Sequence, residues 1–107
     1  MNANWPDDAT LLADLRQVVD PEIGANIVDL GLIYGLDRDP GNRHLTVRLT
    51  FTSPGCPMGP VIEDDVRAVL EVHQPTGGDF AIATVWEPPW GPERMTERTR
   101  RALGWDD

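Results

Sequence analysis

The chain holds a single cysteine, Cys56, in the segment Ser53-Pro54-Gly55-Cys56-Pro57-Met58-Gly59. Two prolines stiffen this loop and two glycines let its backbone approach a ligand closely. The cysteine lies a few residues before a proline-opened helical pattern, where amide N–H groups and the helix dipole favour a thiolate. Glu63, Asp64 and Asp65 in the following turns partly oppose that effect. A thiolate here could act as nucleophile or metal ligand; a small buried hydrophobe is the plainer alternative.

Three carboxylates form a second group. Asp20 and Glu22 flank Pro21, and Asp29 follows shortly after. They could serve as acid–base groups, metal ligands or acceptors for backbone amides, the last being ordinary for Asp in turns. Thr52 and Ser53 could set hydroxyls beside Cys56. His44 and His73 carry little signal, since seventeen residues separate His73 from Cys56 and that spacing specifies no nucleophile–base pair. The run Val85-Trp86-Glu87-Pro88-Pro89-Trp90 puts two tryptophans around a rigid diproline, either a core plug or an exposed docking surface.

Several classes fall away on composition. No paired-cysteine or paired-histidine motif of zinc spacing occurs. An iron–sulfur cluster usually takes four thiolates and this chain offers one, so any cluster must share its ligands with a partner, a second copy or a small thiol. A homodimer would bring two Cys56 residues, still short of four. Nine arginines against eighteen acidic residues, with no lysine, leave a net charge of −9, which disfavours nucleic acid. No apolar run approaches the ~20 residues that span a bilayer. Without a signal peptide or disulfide framework, the expected compartment is the cytoplasm.

At 107 residues the expectation is one domain, 1–107, with a modest core. Leu11, Leu12, Leu15, Val18 and Val19 make the apolar stripe of a helix over Asp8–Val19, capped by Asp7 or Asp8 and stopped by Pro21. Branched residues from Ile27 to Asp37 predict a strand. A turn at Asp39-Pro40-Gly41-Asn42 joins it to a second, in which Leu45, Val47, Leu49 and Phe51 alternate with polar neighbours. Pro60 opens a second helix with Val61, Ile62, Val66, Val69 and Leu70 inward. A third strand covers Asp79–Glu87, and a weaker helix, Glu93–Leu103, ends at Gly104. The order α-β-β-α-β-α predicts an α+β two-layer sandwich, with helices on one face of a small mixed sheet.

Four segments occur together in register: Asp20-Pro21-Glu22, Val28-Asp29-Leu30-Gly31-Leu32, Leu49-Thr50-Phe51-Thr52-Ser53-Pro54-Gly55-Cys56-Pro57 and Trp86-Glu87-Pro88-Pro89-Trp90. In these the chain resembles the SufT-like and PaaD-like family of iron–sulfur cluster assembly domains, from about Leu11 to Trp105. The resemblance implies an α+β domain that helps mature iron–sulfur proteins in the cytosol, through contacts with client proteins or other assembly factors. It implies that Cys56 is the functional cysteine and a transient, shared ligand of iron or a cluster, with none bound constitutively. Asp20, Glu22, Thr52 and Ser53 would form the polar cleft around it, and Trp86, Pro88, Pro89 and Trp90 the docking segment. PaaD-like relatives usually continue into a cysteine-rich tail. Its absence here points to the SufT-like branch rather than to an accessory factor of a phenylacetyl-CoA-type oxygenase. The other alternative is a small cysteine-dependent enzyme with Asp20 or Glu22 as base.

Overall fold

The computed structural model describes residues 4–41, 43–52 and 59–104. Helix α1 covers Asp8–Leu15 and is followed by a small antiparallel pair, β1 (Val19–Asp20) and β2 (Ala25–Asn26). Strands β3 (Ile33–Arg38) and β4 (His44–Leu49) form the main hairpin. Helix α2 (Gly59–His73) then crosses to β5 (Asp79–Thr84), and a 3-10 turn (Pro92–Arg94) precedes α3 (Glu97–Ala102). The sheet order is β3-β4-β5, antiparallel on one side of β4 and parallel on the other, as a hairpin followed by a helical crossover requires. The expected α+β sandwich is the fold found.

Alternation along β4 sorts the two faces. Leu45, Val47 and Leu49 are fully buried and join Leu11 and Leu15 of α1 with Ile62, Val66 and Leu70 of α2 in one core. The opposite face is polar: Arg48 Nε donates to Asp37 Oδ2 at 2.6 Å, and His44 Nδ1 meets Asp79 Oδ1 at 2.6 Å. Asp7 caps α1 by accepting from the Thr10 amide at 2.9 Å, and the contacts with Thr10 hold its carboxyl below the usual range.

Four boundaries differ from the sequence expectation. The simplest is the third strand, which ends at Thr84 rather than Glu87 because β4 ends at Leu49 and offers no partner beyond it. Helix α1 stops at Leu15 rather than Val19: the Gln17 and Val18 amides bond back three residues, to Asp14 and Leu15, which tightens the chain into a turn. Val18 remains buried while Val19 is 43% exposed on β1. The strand expected from Ile27 begins only at Ile33. Asn26 and Asp29 exchange bonds of 2.9 Å, Asn26 Nδ2 donating to Asp29 Oδ2 and the Asp29 amide to Asn26 Oδ1, which rolls residues 27–31 into turns. Gly31 completes the bend at φ 79°, where a Cβ would also run into the Arg94 carbonyl. Finally, the last helix is shorter than Glu93–Leu103. Met95 is extended and buried in the core, and Thr96 caps α3 by accepting from the Thr99 amide.

Candidate functional site

Cys56 and Ser53 lie outside the described residues. What the structure gives is the frame of their loop. On one side β4 runs out through Thr50, Phe51 and Thr52, with the Thr50 amide donating to Leu32 at 2.9 Å and the Val85 amide to Leu49 at 2.9 Å. On the other, α2 opens at Gly59, which is buried against the Phe51 ring; a Cβ there would sit 3.6 Å from Phe51 Cζ. Both ends of the loop are therefore tied to one buried aromatic, at the end of the sheet where β4 and β5 finish.

Asp20 is 1% exposed and works within its own turn. Its Oδ1 accepts from the amides of Glu22 (2.9 Å) and Ile23 (3.4 Å), while its carbonyl accepts from Gly24 at 2.7 Å. A buried carboxylate needs such donors, and a turn closed this way needs a residue tolerant of positive φ, supplied by Gly24 at 83°. Glu22 is exposed on the same turn, and Thr52 is half-buried after Phe51. No hydrogen bond joins Asp20 to Thr52 among the described residues. Asp29 is a brace: its side chain meets Arg16 Nε at 3.3 Å, and its carbonyl accepts from the Thr96 amide at 2.9 Å, tying α3 to the turns before β3.

The two tryptophans divide between the alternatives open in the sequence. Trp90 packs against the core and its Nε1 donates to the Leu30 carbonyl at 2.8 Å. Trp86 is 42% exposed, its ring 5.9 Å from that of Phe51 and tilted by 50°. Between them Glu87, Pro88 and Pro89 are exposed, and the Glu87–Pro88 peptide is cis.

Two residues that the sequence left unremarked help shape this end. The Tyr34 hydroxyl donates to the Pro88 carbonyl at 2.8 Å, and the Arg94 guanidinium lies 4.5 Å over the Tyr34 ring. The diproline segment thus crosses back from β5 towards β3. Thr50, placed by alternation on the polar face, is fully buried, and its Oγ1 is the one buried side-chain polar atom among the described residues without a partner. A lone tyrosine in a strand gives no hint of a carbonyl 54 residues away. Alternation likewise says nothing of what crosses over a strand end.

The histidines lie elsewhere. His44 is on the polar sheet face, and His73 pairs with Asp14 between α2 and α1. Among the described residues no three His, Cys, Asp or Glu side chains converge as a metal site. No helix among them is long and apolar enough to cross a membrane.

The family model for iron–sulfur cluster assembly proteins matches residues 8–79 of the chain. The Fe-S protein maturation auxiliary factor YitW of Bacillus subtilis is 43% identical over 95 residues, which are 88% of this chain and 90% of that protein. The auxiliary factor SufT of Staphylococcus aureus is 45% identical over 87 residues, 81% and 97% of the two chains. Among solved structures, a domain of unknown function from Bacillus anthracis superposes with a TM-score of 0.81 at 40% identity, over 92% of each chain.

Proposed function

The chain belongs to the iron–sulfur cluster assembly protein family, and on that premise we propose that it is an auxiliary factor for maturing iron–sulfur proteins in the cytoplasm. The cluster is its cargo, passed to client proteins or received from other assembly factors. The observation that carries this reading is the frame of the Cys56 loop: both ends anchored at Phe51, beside a half-exposed tryptophan, at one end of the sheet.

In this reading Cys56 offers one thiolate to iron or to a cluster in transit. One protein thiolate of the usual four makes a weak, exchangeable hold, which suits delivery better than storage. The remaining ligands come from the client, a small thiol or a second copy of the chain. Asp20 keeps the turn that presents Glu22, and Thr52 and Ser53 lead into the loop. Trp86 with Pro88 and Pro89 meets the client or assembly partner, while Trp90 fastens that segment to the core. The SufT relative's name as a maturation auxiliary factor supports the same branch.

The test replaces Cys56 by Ala and by Ser in the host and assays several iron–sulfur enzymes. It adds anaerobic reconstitution of the purified chain with iron and sulfide, followed by absorption spectra. The expected result is lower activity in at least part of the enzyme set and loss of the sulfur-to-iron absorption bands. Full activity of every enzyme with Cys56→Ala would overturn the ligand role.

A further inference from the structure

We propose that Trp86, with Glu87 next in the chain and Glu63 bonded to Thr84 two residues before it, is a docking site for an arginine-bearing segment of a partner protein. This rests on the docking role given above to the segment from Trp86 to Pro89, and adds the chemistry of what docks.

The placement follows from three contacts. Thr84, the last residue of β5, donates its hydroxyl to Glu63 Oε1 at 3.3 Å, which brings the early turns of α2 to the strand end. Trp86 is two residues further on, with Phe51 beneath it and 42% of its surface open. Tyr34 holds the Pro88 carbonyl and Leu30 holds the Trp90 indole, so the chain on the far side of Trp86 is pinned at two points. The exposed ring is thus held in place before a partner arrives, which lowers the entropic cost of binding.

The local charge selects the partner. Glu87, Asp64 and Asp65 are exposed and, among the described residues, they make no ion pair and Glu63 receives only the Thr84 hydroxyl. Two arginines of this end already face aromatic rings of their own chain, and Arg48 is paired with Asp37. Arg94 lies over Tyr34 at 4.5 Å, and Arg67 lies 5.8 Å from the Phe80 centroid, one turn of α2 beyond Glu63. The Trp86 indole N–H makes no hydrogen bond among the described residues. With a net charge of −9, an acidic peptide or nucleic acid is repelled. A guanidinium fits both halves of the patch, since it stacks on an indole face and donates in parallel to a carboxylate.

The experiment titrates the purified full-length chain with an acetylated, amidated Gly-Arg-Leu-Arg-Gly peptide. The indole N–H resonances of the four tryptophans are followed by NMR, with Trp86 assigned through Trp86→Phe. The expected result is a saturable shift of the Trp86 signal that weakens as salt is added. Trp86→Ala should raise the dissociation constant roughly three- to tenfold. The double variant Glu63→Gln, Glu87→Gln should raise it by a similar factor while leaving the fold intact. No saturable shift, an equal shift with Gly-Glu-Leu-Glu-Gly, or binding indifferent to both variants would overturn the proposal. Self-association that Trp86→Ala abolishes would assign the patch to a second copy and overturn it too. None of these readouts involves Cys56 or a cluster, so the docking chemistry and the cluster role stand or fall separately.

Discussion

The Trp86 ring rests on Phe51 at a centroid separation of 5.9 Å, while four residues along the chain Trp90 donates its indole N–H to the Leu30 carbonyl at 2.8 Å. One tryptophan therefore lies on the core as a displayed surface, and the other is bonded into it. The difference sets what each substitution should do.

Trp90→Phe keeps an aromatic ring but leaves the Leu30 carbonyl without its donor, and should cost about 1 kcal/mol of stability. Trp86→Phe keeps the stacking on Phe51 and removes an N–H with no protein acceptor among the described residues, so its cost should be near zero. Urea unfolding of the two variants beside the parent chain checks this. Equal losses would mean that the two rings are held alike.

Asp20 is a buried turn-former before it is anything else. Asp20→Ala strands the Glu22 and Ile23 amides and should lower stability by roughly 1–3 kcal/mol. Asp20→Asn keeps an acceptor oxygen at the same place and should recover most of that loss. If the two variants rank the same way in client-enzyme activity as in stability, Asp20 acts through the turn. An Asn variant that is stable yet inactive would instead require its negative charge.

Asp39 provides a pH signature. The His44 amide at 3.0 Å and the Arg43 amide at 2.8 Å both donate to its Oδ1, and these bonds hold its carboxyl below the usual carboxylate range. A carboxyl whose pKa is lower folded than unfolded adds stability above the unfolded value, and that contribution is lost as pH falls through the lowered one. Asp39→Ala should therefore destabilise the hairpin near neutral pH, and the difference from the parent should shrink as pH drops below about 4. Denaturation midpoints measured across that range test the sign. A gap that widens on acidification would contradict it.

Local patterning was enough to set the main elements and the faces they bury. The 3.6-residue stripe through Leu11 and Leu15, the stripe through Ile62, Val66 and Leu70, and the two-residue alternation of Leu45, Val47 and Leu49 are local, because burial on one face repeats at the period of the backbone. The same local chemistry marked Asp7 or Asp8 as a cap, of which the fold uses Asp7, and the residues after Asp39 as a turn. It also brought together the residues by which the chain resembles its family. Where the strand pattern from Ile27 yields to turns was settled by packing, because that depends on the Asn26–Asp29 exchange and on the space Gly31 leaves for Arg94. Likewise, nothing in the run Trp86 to Trp90 says which indole goes inward. That choice was made by partners distant in sequence, Leu30, Tyr34 and Phe51, which become neighbours only once the sheet has closed.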